Sequence, residues 1–153
     1  MIILGVDTVD FNSAIGIIKD GKTTVRTYIS KKDDLLKKIS DFLALNNIEL
    51  KNIDGFIVYL GPGKSFTGTR VGISIINALS YALDKPTFGY CHISEKDVEK
   101  RLTSLLERSK DIKKFVKHIL VPVYSREPNI TQGKSRMAQI SANDANKNVR
   151  LKR

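Results

Sequence analysis

The most distinctive stretch of the sequence is a glycine-rich segment, GPGKSFTGTRVG, from Gly61 to Gly72. Glycine-rich loops between a strand and a helix can bind phosphate, and Gly63-Lys64-Ser65 resembles the end of a Walker A loop. That loop needs a glycine where this sequence has Val58, and Pro62 removes a backbone N–H that a phosphate would use. Gly68 also falls within the helix that the Walker lysine should begin. The pattern therefore argues against a P-loop.

Nucleophilic and metal chemistry have little support elsewhere in the sequence. A nucleophile elbow needs a glycine two residues after its serine, and Ser65 has Thr67 there. The two histidines, His92 and His118, have no acidic residue at a spacing typical of a catalytic or metal site. No HxxxH or HExxH pattern occurs. We therefore predict no catalytic residue and no metal site in this chain.

Asp7 follows an apolar run and ends the first predicted strand. In an actin-like lobe a carboxylate there can coordinate a nucleotide-bound Mg²⁺, which makes Asp7 a candidate nucleotide-proximal residue. The alternative is an Asx turn that closes the strand. We favour the turn, because no second acidic residue ends a later predicted strand.

Positive charge is concentrated near the C-terminal end of the sequence. Of the 26 Lys and Arg residues behind the net charge of +10, 10 lie in residues 113–153, against only Glu127 and Asp144. Basic segments bind phosphates by releasing counterions, although many serve only solubility. The candidate nucleic-acid contacts are Lys134, Arg136, Lys147, Arg150, Lys152 and Arg153.

Alternating strands and helices must position these residues. The first strands form a meander, because Asp20-Gly21 is a strong hairpin signal. Apolar residues at helical spacing predict a helix that ends at Asn46-Asn47. Ser94 with Asp97 resembles an N-terminal cap for a later helix, which we expect to continue at 112–116. The predicted strands are 1–8, 13–18, 22–29, 54–60, 87–90 and 119–124, and the longest predicted helix is 69–83.

The order βββαβαβαβ predicts an α/β fold with a mixed sheet. A ribonuclease H-like (actin-like) sheet fits, with a βββαβαβ N-terminal lobe and a reduced second lobe. A doubly wound Rossmann domain fits less well, because three antiparallel strands precede the first helix. We expect residues 1–128 to form one domain. Residues 129–153 form a basic tail whose low apolar content predicts flexibility.

The predicted helix 69–83 is apolar on nearly all sides. A helix of this kind must be covered on both sides, either by the rest of the monomer or by another subunit. We therefore predict a partner-binding surface formed by Val71, Ile75, Ile76 and Leu79.

Composition limits the class of protein. Hydrophobic residues make up 41% and charged residues 27% of the 153 residues, which is typical of a globular domain. No apolar run approaches the roughly 20 residues that span a bilayer, and the N-terminus lacks the basic region of a secretory signal. We expect a cytoplasmic protein that does not bind membranes. The single cysteine, Cys91, excludes an internal disulfide, and we expect it to be buried.

Three segments together resemble the TsaB family. The loop at 61–72 resembles the signature GPGSFTGxRxG, with Lys64 inserted after the second glycine. The opening ILGVDTVDFNSAIGII, residues 3–18, resembles the first strand and hairpin of that family. Residues 124–128, with Ile130-Thr131, resemble its closing Tyr-x-Arg-x-Pro segment. The residues that carry the loop signature are Gly61, Pro62, Gly63, Ser65, Phe66, Thr67, Gly68, Arg70 and Gly72.

The resemblance implies an accessory role in forming N6-threonylcarbamoyladenosine at position 37 of tRNAs that decode ANN codons. The implied partners are a TsaD-like catalytic subunit and a TsaE-like ATPase. From the apolar helix 69–83 we also expect a homodimer when the chain is alone. No cofactor of its own is implied, because ATP and metal belong to the partner subunits. Contact with tRNA would be indirect or through the basic tail. The stretch 94–118 is too short for the family's second lobe, so the resemblance does not extend to the functions of that lobe.

Two other functions remain open. The first is an actin-fold ATPase that uses Asp7 and the loop 61–68, although such enzymes normally take a second phosphate loop from a second lobe. The other is a stand-alone RNA-binding module that relies on the basic tail. Single-strand readers stack bases on exposed aromatic residues, and the tyrosines and phenylalanines here lie mostly in predicted core.

Overall fold

A computed structural model of the chain describes residues 1–29, 34–109 and 115–125. Three strands form an antiparallel meander: β1 (Ile2–Asp7), β2 (Ser13–Lys19) and β3 (Lys22–Tyr28). The turn between β2 and β3 places Asp20 and Gly21 at positive φ, as a tight hairpin requires, so the predicted hairpin is confirmed. The meander supplies three of the five strands of the sheet, including its central strand, β1.

Two further strands complete a five-stranded mixed sheet in the order β3-β2-β1-β4-β5. These are β4 (Gly55–Gly61), which lies parallel to β1, and β5 (Thr87–Cys91), which lies parallel to β4. β1 and β4 are continuous apolar runs because they are buried on both faces. The ends of β1 and β4 therefore meet at one carboxyl edge of the sheet.

Helices cover both faces of the sheet. α1 (Leu35–Leu45) and α2 (Phe66–Leu83) pack on one face, and α3 (Val98–Arg108) packs on the other. α3 approaches the sheet closely at Gly5, where an added Cβ would lie 2.9 Å from Leu102 Cδ1. This arrangement confirms the predicted ribonuclease H-like (actin-like) α/β fold.

The helix boundaries agree with the sequence in part. The end of α1 at Asn46-Asn47 is confirmed, with Asn46 as the C-cap and Asn47 at a φ of 53°. α2 begins three residues before the predicted Thr69. The predicted cap at Ser94 is wrong, because Asp97 is the N-cap of α3 and accepts a hydrogen bond from Lys100 N. The predicted stretch 112–116 lies partly outside the described residues, and its last residue forms a bridge instead of a helical turn.

The predicted strand at 119–124 is wrong. Residues 115–125, here called the strap, make isolated backbone contacts instead of a ladder. Val116 bridges to Thr87 at the start of β5, and Val123 N donates to Leu60 O at 2.8 Å. Between these points the strap runs alongside α2 and buries Leu120 in the core. The apolar run thus reflects one inserted side chain, with Ile119 and Val121 exposed.

None of the helices within the described ranges is long and apolar enough to cross a membrane. Cys91 was expected to be buried, and this expectation is wrong: it is exposed, because it ends β5 at the open edge of the sheet. The boundary at residue 128 and the tail 129–153 lie outside the described residues.

Candidate functional site

The glycine-rich loop ends as the N-terminal cap of α2. Ser65 is the N-cap, and its Oγ accepts a hydrogen bond from Gly68 N at 3.0 Å. The backbone oxygen of Ser65 accepts a bond from Thr69 Oγ1 at 2.8 Å. These contacts satisfy donors that a helix otherwise leaves open at its first turn. The serine and threonine of the motif therefore shape the helix start.

The same loop is fastened to the turn that follows β1. Ser65 N donates to Val9 O at 2.7 Å, and Thr8 Oγ1 donates to Gly68 O at 2.7 Å. Lys64 N donates to Asp10 Oδ1 at 3.3 Å, so the inserted lysine adds one contact while its side chain is exposed. The loop and the turn after β1 are one connected unit.

Two motif glycines allow this close approach. A Cβ at Gly63 would collide with Val9, and a Cβ at Gly72 would collide with Thr8. A phosphate-binding loop needs free backbone N–H groups. Here the N–H groups of Lys64, Ser65 and Gly68 all have acceptors within the chain. Gly63 and Gly72 thus allow the loop and α2 to pack against the turn that follows β1.

Asp7 lies at the centre of a buried ion-pair cluster with Arg101 of α3. Arg101 Nε donates to Asp7 Oδ2 at 2.6 Å, and Nη2 donates to Asp7 Oδ1 at 3.1 Å and to Asp10 Oδ2 at 2.9 Å. Its Nη1 donates to Glu95 O at 3.0 Å, and its Cζ lies 4.5 Å from the centre of the Tyr59 ring. Asp7 and Arg101 are 0% and 4% exposed.

The protonation of this cluster follows from its burial and its hydrogen bonds. Burial raises the pKa of the Asp7 carboxyl, while the hydrogen bonds and charge of Arg101 act in the opposite direction. Burial alone would lower the pKa of the Arg101 guanidinium, but the carboxylates of Asp7 and Asp10 raise it above its ordinary value. Arg101 therefore stays a cation, and it lies against two carboxylates.

The predicted Asx turn at Asp7 is present, because Asp7 Oδ1 accepts a bond from Val9 N at 3.3 Å. Arg101 and Asp10 were missed. A signal for Arg101 exists in the sequence, since it falls in the apolar stripe of α3 beside Val98 and Leu102. A charged residue in such a stripe needs a buried partner of opposite charge, and Asp7 ends an apolar strand.

The other residues considered for chemistry do not converge. His92 and His118 are both exposed. Within residues 1–29, 34–109 and 115–125, no three His, Cys, Asp or Glu side chains are placed to hold one metal ion. The six basic residues proposed for nucleic-acid contact all lie outside the described residues.

The outward face of α2 differs from the partner surface predicted from the sequence. Ile76 is 0% exposed and packs in the core of this chain, so the prediction that it binds a partner is wrong. Val71, Ile75 and Leu79 are half-buried on the flank of α2 and pack against the same core. The outward face carries Ser74, Ala78, Tyr81 and Ala82. The sequence of α2 suggested a helix apolar on all sides because its outward face carries alanines instead of charged residues.

The strap extends the outward face of α2. Tyr81 is 90% exposed and Ile119 is 78% exposed, and both line one shallow cavity of about 220 Å³. We call Ala78, Tyr81, Ala82 and Ile119 the α2 surface. Asn77 holds the strap beside it, because its side-chain amide donates to Leu120 O at 2.9 Å and accepts from Leu120 N at 3.0 Å. Arg70 Nε donates to Tyr124 Oη at 2.8 Å at the other end.

Known proteins resemble this chain in sequence. Residues 31–102 match the family described as TsaD: tRNA N6-adenosine threonylcarbamoyltransferase. Two curated relatives are named tRNA threonylcarbamoyladenosine biosynthesis protein TsaB. The Bacillus subtilis (strain 168) protein is 27% identical over 90 residues, 56% of this chain and 39% of the relative. The Escherichia coli (strain K12) protein is 28% identical over 92 residues, 58% of this chain and 39% of the relative.

The chain thus covers well under half the length of these relatives. Among solved structures, YeaZ from Pseudomonas aeruginosa superimposes with a TM-score of 0.56 and 24% identity, over 59% of this chain and 43% of that one. The superposition supports the fold, and the residues matched by the family model include the glycine-rich loop. Together these comparisons support a resemblance of this chain to TsaB/YeaZ-family proteins.

Proposed function

We propose that this chain is a non-catalytic subunit in the formation of N6-threonylcarbamoyladenosine at position 37 of tRNAs that decode ANN codons. In this role it binds a TsaD-like subunit, which performs the transfer, and works with a TsaE-like ATPase. Two curated relatives carry the name of this biosynthetic pathway, which supports the proposal. The reaction takes place in the cytoplasm, where tRNA is modified.

The observation that carries the proposal is the α2 surface. Tyr81 and Ile119 are large side chains left almost fully exposed, beside the small residues Ala78 and Ala82. Interfaces are enriched in tyrosine, and small neighbours let a partner helix approach closely. Val71, Ile75 and Leu79 border this face, so a partner that settles on it would bury their remaining exposed area as well.

A non-catalytic role is supported by how the polar groups are used. The N–H groups of Lys64, Ser65 and Gly68 and both Asp7 oxygens are hydrogen-bonded within the chain. Catalytic groups must instead face a substrate with geometry set for the reaction. ATP and metal would accordingly be bound by the partner subunits, and this chain would contribute position and stability to the complex.

A charge on the α2 surface tests the partner role. We expect Tyr81→Glu to weaken binding to the TsaD-like subunit by about tenfold or more, because the interface would bury an unpaired carboxylate. The matched control is Leu45→Glu, which places the same charge on an exposed apolar residue at the end of α1. Binding is measured by calorimetry, and folding is checked by circular dichroism.

The same variants report on self-association. If the isolated chain dimerises, Tyr81→Glu should shift light scattering toward the monomer, whereas Leu45→Glu should not. Equal loss of TsaD binding in both variants would assign the effect to charge and not to the α2 surface. No binding of the unmodified chain to its cognate TsaD-like subunit would reject the proposed function.

A further inference from the structure

The actin-like fold implies a Mg²⁺-bound nucleotide beside the carboxylate that ends β1, and the residues of this chain can be tested for that fit. A metal ligand must turn at least one carboxylate oxygen toward the ion. Both oxygens of Asp7 are directed at Arg101, at 2.6 and 3.1 Å, and Oδ1 also accepts from Val9 N. Asp10 Oδ2 is directed at the same guanidinium at 2.9 Å. The residues do not fit a metal-bound nucleotide.

We propose that the Arg101 guanidinium occupies the position at the carboxyl edge of the sheet where the fold would otherwise place a divalent ion. By bonding both oxygens of Asp7, it prevents Asp7 from coordinating a metal-bound nucleotide. The inference concerns the carboxyl edge only and is independent of partner binding at the α2 surface.

The contacts of the guanidinium show that its position is fixed. Each of its three nitrogens has an acceptor, namely Asp7, Asp10 or the backbone oxygen of Glu95, and Tyr59 lies beside it. A guanidinium with this set of bonds has little freedom to rotate away. Its charge cannot be removed by raising the pH, because arginine stays protonated throughout the range in which proteins are folded.

The neighbouring cavity confirms which group a ligand would meet. A cavity of about 620 Å³ opens at the carboxyl edge and is lined by Arg101, Asp10, Tyr59 and Lys64, among others, and Asp7 is not part of its wall. A nucleotide that entered it would therefore lie against Arg101 and not against Asp7. To reach Asp7, an ion would have to displace the Arg101 guanidinium, and α3, which carries Arg101, is packed closely on Gly5 and Gly16 through Leu102 and Leu106.

Mn²⁺ is the probe for this inference, used alone and with ATP and followed by electron paramagnetic resonance. We expect the wild-type chain and Asp7→Asn to bind either probe equally, within a factor of about two, because Asp7 does not contribute. Wild-type binding of Mn²⁺–ATP that Asp7→Asn weakens about tenfold or more would overturn the inference. This comparison needs no variant of Arg101.

A second comparison removes the positive charge of Arg101. Arg101→Gln frees the carboxylates of Asp7 and Asp10, so it should bind Mn²⁺ about tenfold more tightly than wild type, and Asp7→Asn in the same chain should abolish the gain. Arg108→Gln is the matched control, because it removes an exposed arginine from the same helix and should behave like wild type. A folded Arg101→Gln variant with no gain would also overturn the inference. If that variant does not fold, the wild-type comparison decides.

Discussion

Gly72 lies where α2 crosses the end of β1, and no side chain fits there. The hydroxyl of Thr8 occupies the space that a Cβ would take, while the same hydroxyl donates to Gly68 O. Two turns of helix and one strand end are therefore in contact through backbone and a single threonine. At the scale of one residue, the family signature is a packing requirement.

A substitution at this glycine reverses the usual rule for helices. In an exposed helix interior, Gly→Ala stabilises by about 1 kcal/mol. At Gly72 the new methyl group would collide with Thr8, so we expect Gly72→Ala to lower the free energy of unfolding by about 1–3 kcal/mol. Urea unfolding measures the change. The control is Ser74→Ala, two residues further along and exposed, which should stay within about 0.5 kcal/mol. A more stable Gly72→Ala variant would contradict the packing role.

Some contacts of the candidate site could be predicted from the sequence, and others could not. The Asx turn at Asp7 was predictable, because it depends on a residue two positions away. The pair with Arg101 joins residues 94 positions apart, and no local pattern reports a contact at that distance. Ile76 was misassigned for a related reason: the sequence shows that α2 is apolar, but only its packing shows which side faces the sheet.

At the scale of elements, α2 and the strap form one connected layer over β4. Asn77 bonds both backbone groups of Leu120, and Tyr124 contacts Arg70 and Phe66 near the start of the helix, with the Phe66 and Tyr124 ring centres 5.2 Å apart. The strap has little sheet pairing of its own, so these side chains fix its course along α2.

Removing the amide of Asn77 should loosen the strap. Asn77→Ala leaves Leu120 N and O without their side-chain partner, which should cost about 1–3 kcal/mol. We expect a lower urea midpoint and faster hydrogen exchange at the Leu120 amide, with α3 unaffected. Asn52→Ala, at an exposed position after α1, is the control and should change neither measurement. Unchanged exchange at Leu120 would show that the strap is held by other contacts.

Most elements were predictable because their periodicity is strong. The meander, α1 and the stripe of α3 follow from alternation, from the Asp20-Gly21 turn and from helical spacing. The strap was not predictable, since an apolar run of strand length arises equally from a ladder or from one inserted residue such as Leu120. The cap of α3 was ambiguous, because Ser94 and Asp97 both precede the apolar stripe.

At the scale of the whole molecule, charge is divided between two regions. Residues 1–112 contain 16 Lys and Arg against 14 Asp and Glu, so they are nearly balanced, whereas residues 113–153 carry most of the surplus. The folded lobe therefore offers no strong attraction for tRNA by net charge. Any long-range attraction would come from the C-terminal end of the chain.

Truncation after Thr131 tests whether the C-terminal end attracts tRNA through its positive charge. We expect the full complex to bind tRNA with a steep salt dependence that becomes shallower without residues 132–153, because fewer counterions are released. Fold and TsaD binding should be unchanged. The measurement is tRNA affinity at several salt concentrations, with and without the tail. Equal affinities and slopes with and without the tail would reject its electrostatic role.

β3 is an edge strand of the sheet, so it could pair with β3 of a second copy of the chain. An unpaired border strand is a template for joining sheets edge to edge. Lys22 and Arg26 are exposed along β3, and an antiparallel pairing centred on Thr24 would set Lys22 opposite the second copy's Arg26. Facing like charges disfavour that pairing. The charges on β3 itself therefore oppose fibre-like growth in this register.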